Sequence, residues 1–293
     1  MIKVKVPGTS ANIGPGFDAL GLALNLYNTF IFEEIDKGLE IIGCNADFAN
    51  DKNIAYRSMR YTFEKIGYSP KGIRIDMDTD IPISRGLGSS AACILGGVIG
   101  ANDLAGSCLS TEEILEIATE IEGHPDNIAP ALFGGLVVSI MEDKKVFYNK
   151  IDVHPGIKFL ALIPDFTLST KKARAVLPST VSYKDAIYNV GRVSLLLSAL
   201  SNGRFELLKH AVKDCLHQQY RGKLIPGFFD IFNKCEEFGC LGLYLSGAGP
   251  TIMAIIDEND NKFATEMSNY LNSIDYSWNI REFKLDFHGV SIE

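Results

Sequence analysis

The chain has 293 residues, which exceeds one typical domain of about 100–150 residues and predicts two domains that share an interface. A hydrophobic fraction of 46% with 22% charged residues is typical of a folded globular protein and excludes a disordered chain. The formal net charge of −8 excludes a protein that binds nucleic acid through a strongly basic face, so any anionic ligand must be held by a small local site.

The first half of the chain is predicted to begin with strands. Residues 2–6 alternate apolar and charged side chains before Pro7 and Gly8, which predicts a short strand that enters a loop. The further elements predicted in this half are strands at 22–35 and 39–42 that pair with each other, a helix at 53–66, a strand at 73–77, a buried helix opened by 86–92, an amphipathic helix at 111–121 and a strand at 134–140.

A domain boundary is predicted at residues 153–156, where Pro155 and Gly156 precede a new apolar strand. The predicted domains are therefore residues 1–153 and 154–293. The second contains a strand at 158–163, helices at 182–200, 205–212 and 226–238, strands at 241–245 and 251–256, a helix at 261–271 and a last strand that ends near 287. This mixture of helices, strands and antiparallel returns predicts an α+β fold.

The six cysteines are scattered, with no CxxC pair and no clustered histidines, which predicts free thiols in a reducing compartment rather than a zinc site. The first residues lack the apolar core of a signal peptide. No apolar stretch approaches the roughly 20 residues of a membrane span. We therefore expect a cytoplasmic protein without a membrane partner.

The most informative segment runs straight from a loop into the predicted buried helix. It consists of Pro82, Ile83, Ser84, Arg85, Gly86, Leu87, Gly88, Ser89, Ser90, Ala91 and Ala92. Gly86 and Gly88 permit backbone conformations closed to other residues, and the free N–H groups at the helix start would face a bound anion. The segment therefore predicts a phosphate site, with a tightly packed helix entry as the alternative.

The spacing Gly86-x-Gly88-x-x-Ala91 also fits the short dinucleotide-binding pattern, which would indicate a dehydrogenase. That site requires the glycines directly after a buried parallel strand, followed about 20 residues later by an acidic residue. Here the polar residues 79–85 precede the glycines, and a predicted helix follows them. The pattern therefore disfavours a dehydrogenase, and the Walker phosphate-loop pattern is absent.

Residues 82–92 resemble the phosphate-binding motif of the GHMP kinase superfamily. Residues 7–21, PGTSANIGPGFDALG, are similar to the first motif of that superfamily, and residues 245–251, LSGAGPT, are similar to the third. The resemblance spans almost the whole chain. It implies an N-terminal domain like ribosomal protein S5 domain 2, joined to a ferredoxin-like C-terminal domain, and a kinase that uses ATP and Mg²⁺.

Three further segments, at residues 122–130, 169–174 and 220–227, resemble the homoserine kinases within this superfamily. This implies transfer of a phosphoryl group from ATP to L-homoserine in threonine biosynthesis, a small-molecule substrate and no nucleic-acid partner. The resemblance leaves a homodimer open.

The resemblance also assigns roles on the nucleotide side. Ser90 and Glu122 are similar to the hydroxyl and carboxylate that hold Mg²⁺ in the superfamily, with Glu120 as the rival carboxylate. The adenine is expected near Asn53, for which a helix N-cap is the alternative. The third motif, through Gly247 and Gly249, is expected to support the phosphate loop.

On the acceptor side, the resemblance implies that Arg174 and Arg221 hold the substrate carboxylate through bidentate guanidinium donors. The residues expected to bind the acceptor are Asn12, Asp18, His124, Asn127, Thr170, Arg174 and Arg221. Of these, Asp18, Asn127, Arg174 and Arg221 are expected to be catalytic. A general base is left open: Asp126 is the candidate, and in-line transfer without a dedicated base is favoured.

Two other functions are weighed on the same fold. A mevalonate-pathway kinase or decarboxylase would need a pocket for a bulkier or doubly charged acceptor and leaves Arg174 and Arg221 without a role. A protein that binds without catalysis is disfavoured because every candidate phosphate and metal group is present.

Overall fold

The computed structural model describes residues 1–293 and has an α+β architecture of two sheets with packed helices. The strands are β1 (Ile2–Ala11), β2 (Leu20–Glu34), β3 (Gly38–Ile42), β4 (Gly72–Thr79), β5 (Leu136–Glu142), β6 (Lys145–Ile151), β7 (Ile157–Pro164), β8 (Gly242–Leu245), β9 (Ile252–Asp257), β10 (Trp278–Phe283) and β11 (Ser291–Ile292). The α-helices are α1 (Ile54–Ile66), α2 (Ser89–Leu104), α3 (Thr111–Glu122), α4 (Ile128–Phe133), α5 (Thr170–Ala175), α6 (Tyr183–Asn202), α7 (Leu208–Ala211), α8 (Gln218–Arg221), α9 (Phe228–Glu237) and α10 (Phe263–Leu271). None of these helices has the length and apolar character needed to cross a membrane.

The first sheet has the strand order β11-β1-β2-β4-β3, and β5 and β6 extend it from the start of β2. The register of β1 against β2 shifts between Pro7 and Gly8. Beyond this irregularity β2 pairs with β4, whereas its first residues pair with β5. A bulge of this kind bends the strand and lets its two halves take different neighbours. The end of β1 and the start of β2 are thereby placed beside the start of α2.

The predicted pairing of strand 39–42 with strand 22–35 is wrong. In the structure, β3 pairs in parallel with β4, which itself lies against β2. Because β1 and β4 occupy both edges of β2 in this region, only the outer edge of β4 is open to β3. The strand β6 was not predicted, since most of its side chains are exposed and lack the alternation of a half-buried strand.

The buried helix α2 lies directly on the first sheet, as its small-residue sequence predicts. A Cβ atom at Gly96 would approach the Phe30 ring to 2.6 Å, and one at Gly100 would approach the Phe32 ring to 2.4 Å. These glycines therefore let the helix backbone contact two aromatic rings of β2. This close packing fixes the position of the N-terminus of α2, where the phosphate site is predicted.

The second sheet has the order β10-β7-β9-β8. One of its faces joins the core that also contains the first sheet, and the other packs in a separate cluster with α9 and α10. The last strand, β11, returns to pair with β1, so the end of the predicted 154–293 domain completes the first sheet. The predicted strand near 287 ends earlier, at Phe283.

Four helical details differ from the sequence expectations. The helix predicted at 205–212 is a 3-10 turn followed by the one-turn helix α7. The short helices α4, α5 and α8 were not predicted, because four to six residues cannot display a helical periodicity. The last two matter for function, since α5 carries Arg174 and α8 ends at Arg221.

Candidate functional site

A cavity of about 540 Å³ lies where the three sequence motifs meet. This volume is within the range of about 300–1,000 Å³ that small-molecule sites occupy. Most of the site residues predicted from the sequence line it: Asn12, Asp18, Asn53, Ile83, Ser84, Arg85, Gly86, Gly88, Ser89, Ser90, Glu122, His124, Asn127, Thr170, Arg174 and Arg221. The fold therefore brings residues from both halves of the chain to one place.

The phosphate loop has the backbone geometry of an anion site. Gly88 caps α2 with φ of 75°, and no side chain caps this helix. The first main-chain hydrogen bond into α2 runs from Ala92 N to Gly88 O, so the preceding N–H groups are left for a ligand. A Cβ atom at Gly88 would lie 2.0 Å from Thr9 Oγ1. Only glycine therefore fits, and the helix dipole favours an anion at this end.

The third motif contacts the phosphate loop through hydrogen bonds and close backbone packing. The Ser246 hydroxyl donates a hydrogen bond to Gly86 O at 2.6 Å, and Thr251 N donates to Arg85 O at 3.3 Å. A Cβ atom at Gly86 would approach Ser246 O to 2.3 Å. The two glycine-containing segments thus touch through their backbones, as expected for Gly247 and Gly249.

Arg85 lies in the predicted phosphate segment, but its guanidinium turns toward the second sheet. Its Nε donates to Pro164 O at 2.8 Å and its Nη2 donates to Asp165 O at 2.5 Å. The side chain therefore connects the loop to the end of β7.

Four of the predicted loop residues do not line the cavity. Leu87, Ala91 and Ala92 are buried in the hydrophobic core, and Pro82 lies beside the cavity without lining it. They shape the loop rather than present side chains to a ligand.

Ser90 and Glu122 meet across the cavity wall. The Ser90 hydroxyl donates to Glu122 Oε2 at 2.9 Å. Burial raises the pKa of Glu122, while the charge of His124 and the hydrogen bond from Ser90 oppose that rise. The rival carboxylate, Glu120, points away and pairs with Lys65 at 2.7 Å on the surface. Of the two glutamates, Glu122 is therefore the one that offers, together with Ser90, oxygen ligands for a hard cation.

The side-chain amide of Asn53 is used by the protein itself. Its Oδ1 accepts from Ala55 N at 2.9 Å, and its Nδ2 donates to Phe48 O at 2.9 Å. The residue is therefore the N-cap of α1. Phe48, Ile54 and Ile83 also line the cavity and are 44%, 42% and 51% exposed. Ile83 belongs to the predicted phosphate segment, whereas Phe48 and Ile54 were not predicted, because nothing in the chain order places them beside that segment.

The first motif presents a carboxylate to α5. Arg174 donates to Asp18 through both terminal nitrogens, at 2.9 and 2.8 Å. The hydrogen bond to Asp18 raises the pKa of Arg174 against the effect of partial burial. Asn12 fixes this turn: its Oδ1 accepts from Asp18 N at 3.0 Å, and its Nδ2 donates to Gly247 O at 2.9 Å. Two of the residues predicted to bind the acceptor, Asp18 and Arg174, thus pair with each other.

Arg221 is buried without a carboxylate partner. It is 2% exposed and donates to Gly247 O at 3.0 Å and to Ala173 O at 3.3 Å. Burial, reinforced by the charge of Arg174, lowers the pKa of Arg221 to about 10, so it stays charged near neutral pH. Its Nη2 makes no hydrogen bond within the protein. A buried cation with free donors in a cavity is a strong site for an anionic group.

Polar side chains close the remaining side of the cavity. His124 Nδ1 lies 2.6 Å from Asp126 Oδ1, and Asn127 Oδ1 accepts from the Thr9 hydroxyl at 2.8 Å. Burial opposes the charge on His124, but the hydrogen bond to Asp126 and the nearby carboxylates outweigh it and raise the pKa. One ligand atom each from Asp18, His124 and Asp126 lies within 4.8 Å of the others. The arrangement suits a cationic group such as an ammonium.

Two family models match the chain. The model of the GHMP kinases N terminal domain matches residues 53–135, and the model of the GHMP kinases C terminal domain matches residues 196–273. The chain is 54% identical over 292 residues to a homoserine kinase of Clostridium botulinum, covering 100% of this chain and 98% of that protein. It is 55% identical over 293 residues to a homoserine kinase of Clostridium beijerinckii, with the same coverage.

Solved structures show the same architecture. A homoserine kinase from Cytophaga hutchinsonii matches with a TM-score of 0.89 and 29% identity, over 100% of this chain and 97% of that one. A mevalonate kinase of L. major, in complex with R-mevalonate, matches with a TM-score of 0.72 and 16% identity, over 97% and 95% of the two chains. At that identity the second match concerns the fold alone.

Proposed function

The chain belongs to the GHMP kinase family and groups there with the homoserine kinases, from which we infer that it transfers a phosphoryl group from ATP to the side-chain hydroxyl of L-homoserine. The product is O-phospho-L-homoserine, an intermediate of threonine biosynthesis. The observation that carries this conclusion is one cavity that combines an uncapped helix N-terminus with a carboxylate–guanidinium pair and a second, unpaired guanidinium. The first suits phosphates, and the others suit an amino acid.

We propose that ATP places its phosphates at the N-terminus of α2, where Gly86 and Gly88 bring the backbone close. The base would lie between the apolar side chains of Phe48, Ile54 and Ile83. The predicted contact to Asn53 is then indirect, because its amide already caps α1 and holds the carbonyl of Phe48.

Mg²⁺ fits the donor set of Ser90 and Glu122, since a hydroxyl and a carboxylate 2.9 Å apart are the oxygen ligands that this ion prefers. When bound there, the ion would neutralise negative charge on the phosphates of ATP. Glu120 does not fit, because it is exposed and paired with Lys65 on the other side of α3.

We propose that the acceptor amino acid separates the Asp18–Arg174 ion pair and forms an ion pair with each of these residues instead. Its ammonium would take the carboxylate of Asp18, and its carboxylate would take donors from Arg174 and the free Nη2 of Arg221. His124 and Asn127 would orient the hydroxyl toward the phosphates, and Thr170, at the first residue of α5, would line the carboxylate end.

For the chemical step, we propose in-line transfer in which orientation and charge neutralisation lower the barrier, with the proton passing to a phosphate oxygen. Support comes from Asp126, whose Oδ1 is engaged by His124 at 2.6 Å, and from Asn127, whose amide cannot act as a base. If Asp126→Asn kept acceptor binding but lost several orders of magnitude in turnover, Asp126 would be the base instead.

The function is tested by incubating the protein with MgATP and, separately, L-homoserine, L-threonine, L-serine or mevalonate. ADP release is followed and each product is identified by mass spectrometry. The proposal requires L-homoserine to be phosphorylated with the highest kcat/KM. Turnover of mevalonate alone would assign the chain to another branch of the family, and the absence of turnover on every acceptor would contradict a kinase. The homodimer stays a prediction.

A further inference from the structure

His217 lies at the junction of the first motif and α8 and has no role in the binding scheme above. Its side chain is fully buried. Its Nε2 lies 2.8 Å from Gly14 O, in the turn that leads to Asp18, and its Nδ1 lies 3.4 Å from Nη1 of Arg221. The ring therefore contacts both the first motif and Arg221.

The partners of His217 fix its protonation state. A main-chain carbonyl only accepts hydrogen bonds, so Nε2 must carry the proton that points at Gly14 O. A guanidinium only donates, so Nδ1 must be the unprotonated acceptor that faces Arg221. Burial lowers the pKa of His217, which agrees with a neutral ring. Each ring nitrogen thus has one assigned partner and one assigned role.

The face of the same ring is also used. The Phe17 ring stacks on His217 with centroids 5.0 Å apart and an interplanar angle of 22°. The guanidinium carbon of Arg221 lies 5.0 Å from the centre of the Phe17 ring, and that of Arg174 lies 5.6 Å from it. Phe17 directly precedes Asp18, so this stack connects the turn that presents Asp18 to both arginines.

A buried carboxylate holds His217 itself in place. Asp214 accepts hydrogen bonds from the N–H groups of Leu216, His217 and Gln218, at 2.9, 2.9 and 2.7 Å. Asn189 of α6 donates to Asp214 Oδ1 at 3.0 Å and to Pro15 O at 3.1 Å. The start of α8 and residues 14–15 are therefore tied together twice, once through His217 and once through Asn189.

We propose that His217 is a positioning residue that holds the Arg221 guanidinium and the turn of residues 14–18 at a fixed separation. That separation is the distance between the carboxylate-binding and ammonium-binding ends of the acceptor pocket. This inference rests on the proposed function, because it needs Arg221 to receive the acceptor carboxylate. If no atom at the place of Nδ1 accepts a hydrogen bond, Arg221 loses one of its three hydrogen-bond partners, and its free Nη2 is no longer held toward the proposed substrate carboxylate.

Two conservative variants separate the two contacts. In His217→Gln the side-chain amide nitrogen reaches the place of Nε2, so the bond to Gly14 O is kept and the contact to Arg221 is lost. In His217→Asn the amide oxygen reaches the place of Nδ1, so the contact to Arg221 is kept and the bond to Gly14 O is lost. His210→Gln, at an exposed histidine of α7, is the control for the substitution itself.

The readout is the preference for L-homoserine over 3-aminopropan-1-ol, which is the same acceptor without its carboxylate. In His217→Gln we expect kcat/KM for L-homoserine to fall about tenfold through KM, as expected for a weakened bond to a charged group. We expect kcat/KM for 3-aminopropan-1-ol and KM for ATP to stay within about twofold, since neither involves that bond. His217→Asn is expected to retain the preference of the unmodified chain.

Equal losses on the two acceptors in His217→Gln would mean a purely structural role and would overturn the inference. So would an unchanged preference in His217→Gln when Arg221→Met abolishes it, although the proposed function would then stand. If His217→Gln does not fold, a lost preference in a folded His217→Asn would overturn the inference as well. No phosphorylation of L-homoserine by the unmodified chain would overturn both proposals.

Discussion

One half of the cavity is lined mainly by backbone groups, and the other half is lined by charged side chains. The half proposed to bind the nucleotide, here called the nucleotide half, is a backbone structure: Gly86 and Gly88 bring main-chain N–H groups to the site, and the guanidinium of Arg85 turns away to Pro164 and Asp165. The half proposed to bind the amino acid, here called the acceptor half, is made of charged side chains that contact one another, with Asp18 held by Arg174 and Asp126 held by His124. Backbone donors are preorganised before a ligand arrives, whereas paired charges must exchange partners when one binds.

This difference predicts which of the two ligands each substitution will affect. Changes in the nucleotide half should act on ATP, and changes in the acceptor half should act on L-homoserine. Glu122 stands between the two halves and should affect turnover more than either KM.

The largest effect is expected for Glu122→Gln. Because this change removes the carboxylate proposed to hold Mg²⁺, we expect kcat to fall about a thousandfold, or about 4 kcal/mol, with little change in KM for L-homoserine. Steady-state kinetics at saturating MgATP measure it. Glu120→Gln is the matched control and should leave activity intact. A near-normal kcat in Glu122→Gln would contradict the proposed ion site.

The next largest effect is expected for Gly88→Ala. The added Cβ would lie 2.0 Å from Thr9 Oγ1 and would displace the loop. We expect kcat/KM for ATP to fall about a hundredfold, as for other misplacements near 1 Å, while binding of L-homoserine is kept. Titration calorimetry with each ligand separates the two.

Gly67→Ala controls for the backbone strain in this comparison. Gly67 also has positive φ, of 72°, but a Cβ there would meet nothing within 4 Å. Thermal unfolding should show a cost of about 1 kcal/mol with unchanged kinetics. Equal losses of kcat/KM for ATP in both variants would mean that the steric clash at Gly88 is not the cause of the loss.

The acceptor half is tested by Asp18→Asn. This change removes the charge proposed to bind the substrate ammonium and also weakens the ion pair with Arg174. We expect KM for L-homoserine to rise about thirtyfold, or about 2 kcal/mol, with KM for ATP unchanged. Asp143→Asn, in the exposed turn between β5 and β6, is the control. A comparable rise in KM for ATP would contradict the separation of the two halves.

The smallest effect is expected for Ser246→Ala, which removes the hydroxyl that donates to Gly86 O at 2.6 Å. One supporting hydrogen bond of the phosphate loop is lost, so KM for ATP should rise about threefold to tenfold, in line with a bond of about 1 kcal/mol. Ser273→Ala removes a bond of equal length to Tyr270 O on the surface and should change neither KM. If Ser246→Ala raised KM for L-homoserine more than KM for ATP, the assignment of this hydrogen bond to the nucleotide half would be contradicted.

The same contrast explains what could be predicted from the sequence. The nucleotide half was predictable because a backbone cradle needs glycines at fixed spacing and a helix directly after them. The hypothesis that Ser90 and Glu122 hold Mg²⁺ came from the resemblance and stays a prediction. What sequence could not supply was the contribution of Phe48 and Ile54 to the cavity lining, since these residues join the phosphate segment there only through the fold.

The acceptor half was harder to predict for physical reasons. Asp18 and Arg174 are 156 residues apart, so no local pattern indicates that they pair. The helices that carry Arg174 and Arg221 have six and four residues, which is too short for periodicity to reveal. The errors in the fold have a similar origin: the parallel pairing of β3 and the edge strand β6 depend on which strand edges remain free.

The central claim is that one cavity holds MgATP beside an amino acid with a side-chain hydroxyl. The most direct test is a competition in which MgATP and equal concentrations of L-homoserine, L-threonine, L-serine and mevalonate react with the protein in one tube. Phosphorus NMR then identifies the products. The account predicts O-phospho-L-homoserine as the dominant phosphorylated product; a dominant phosphomevalonate signal, or ADP and inorganic phosphate alone, would contradict it.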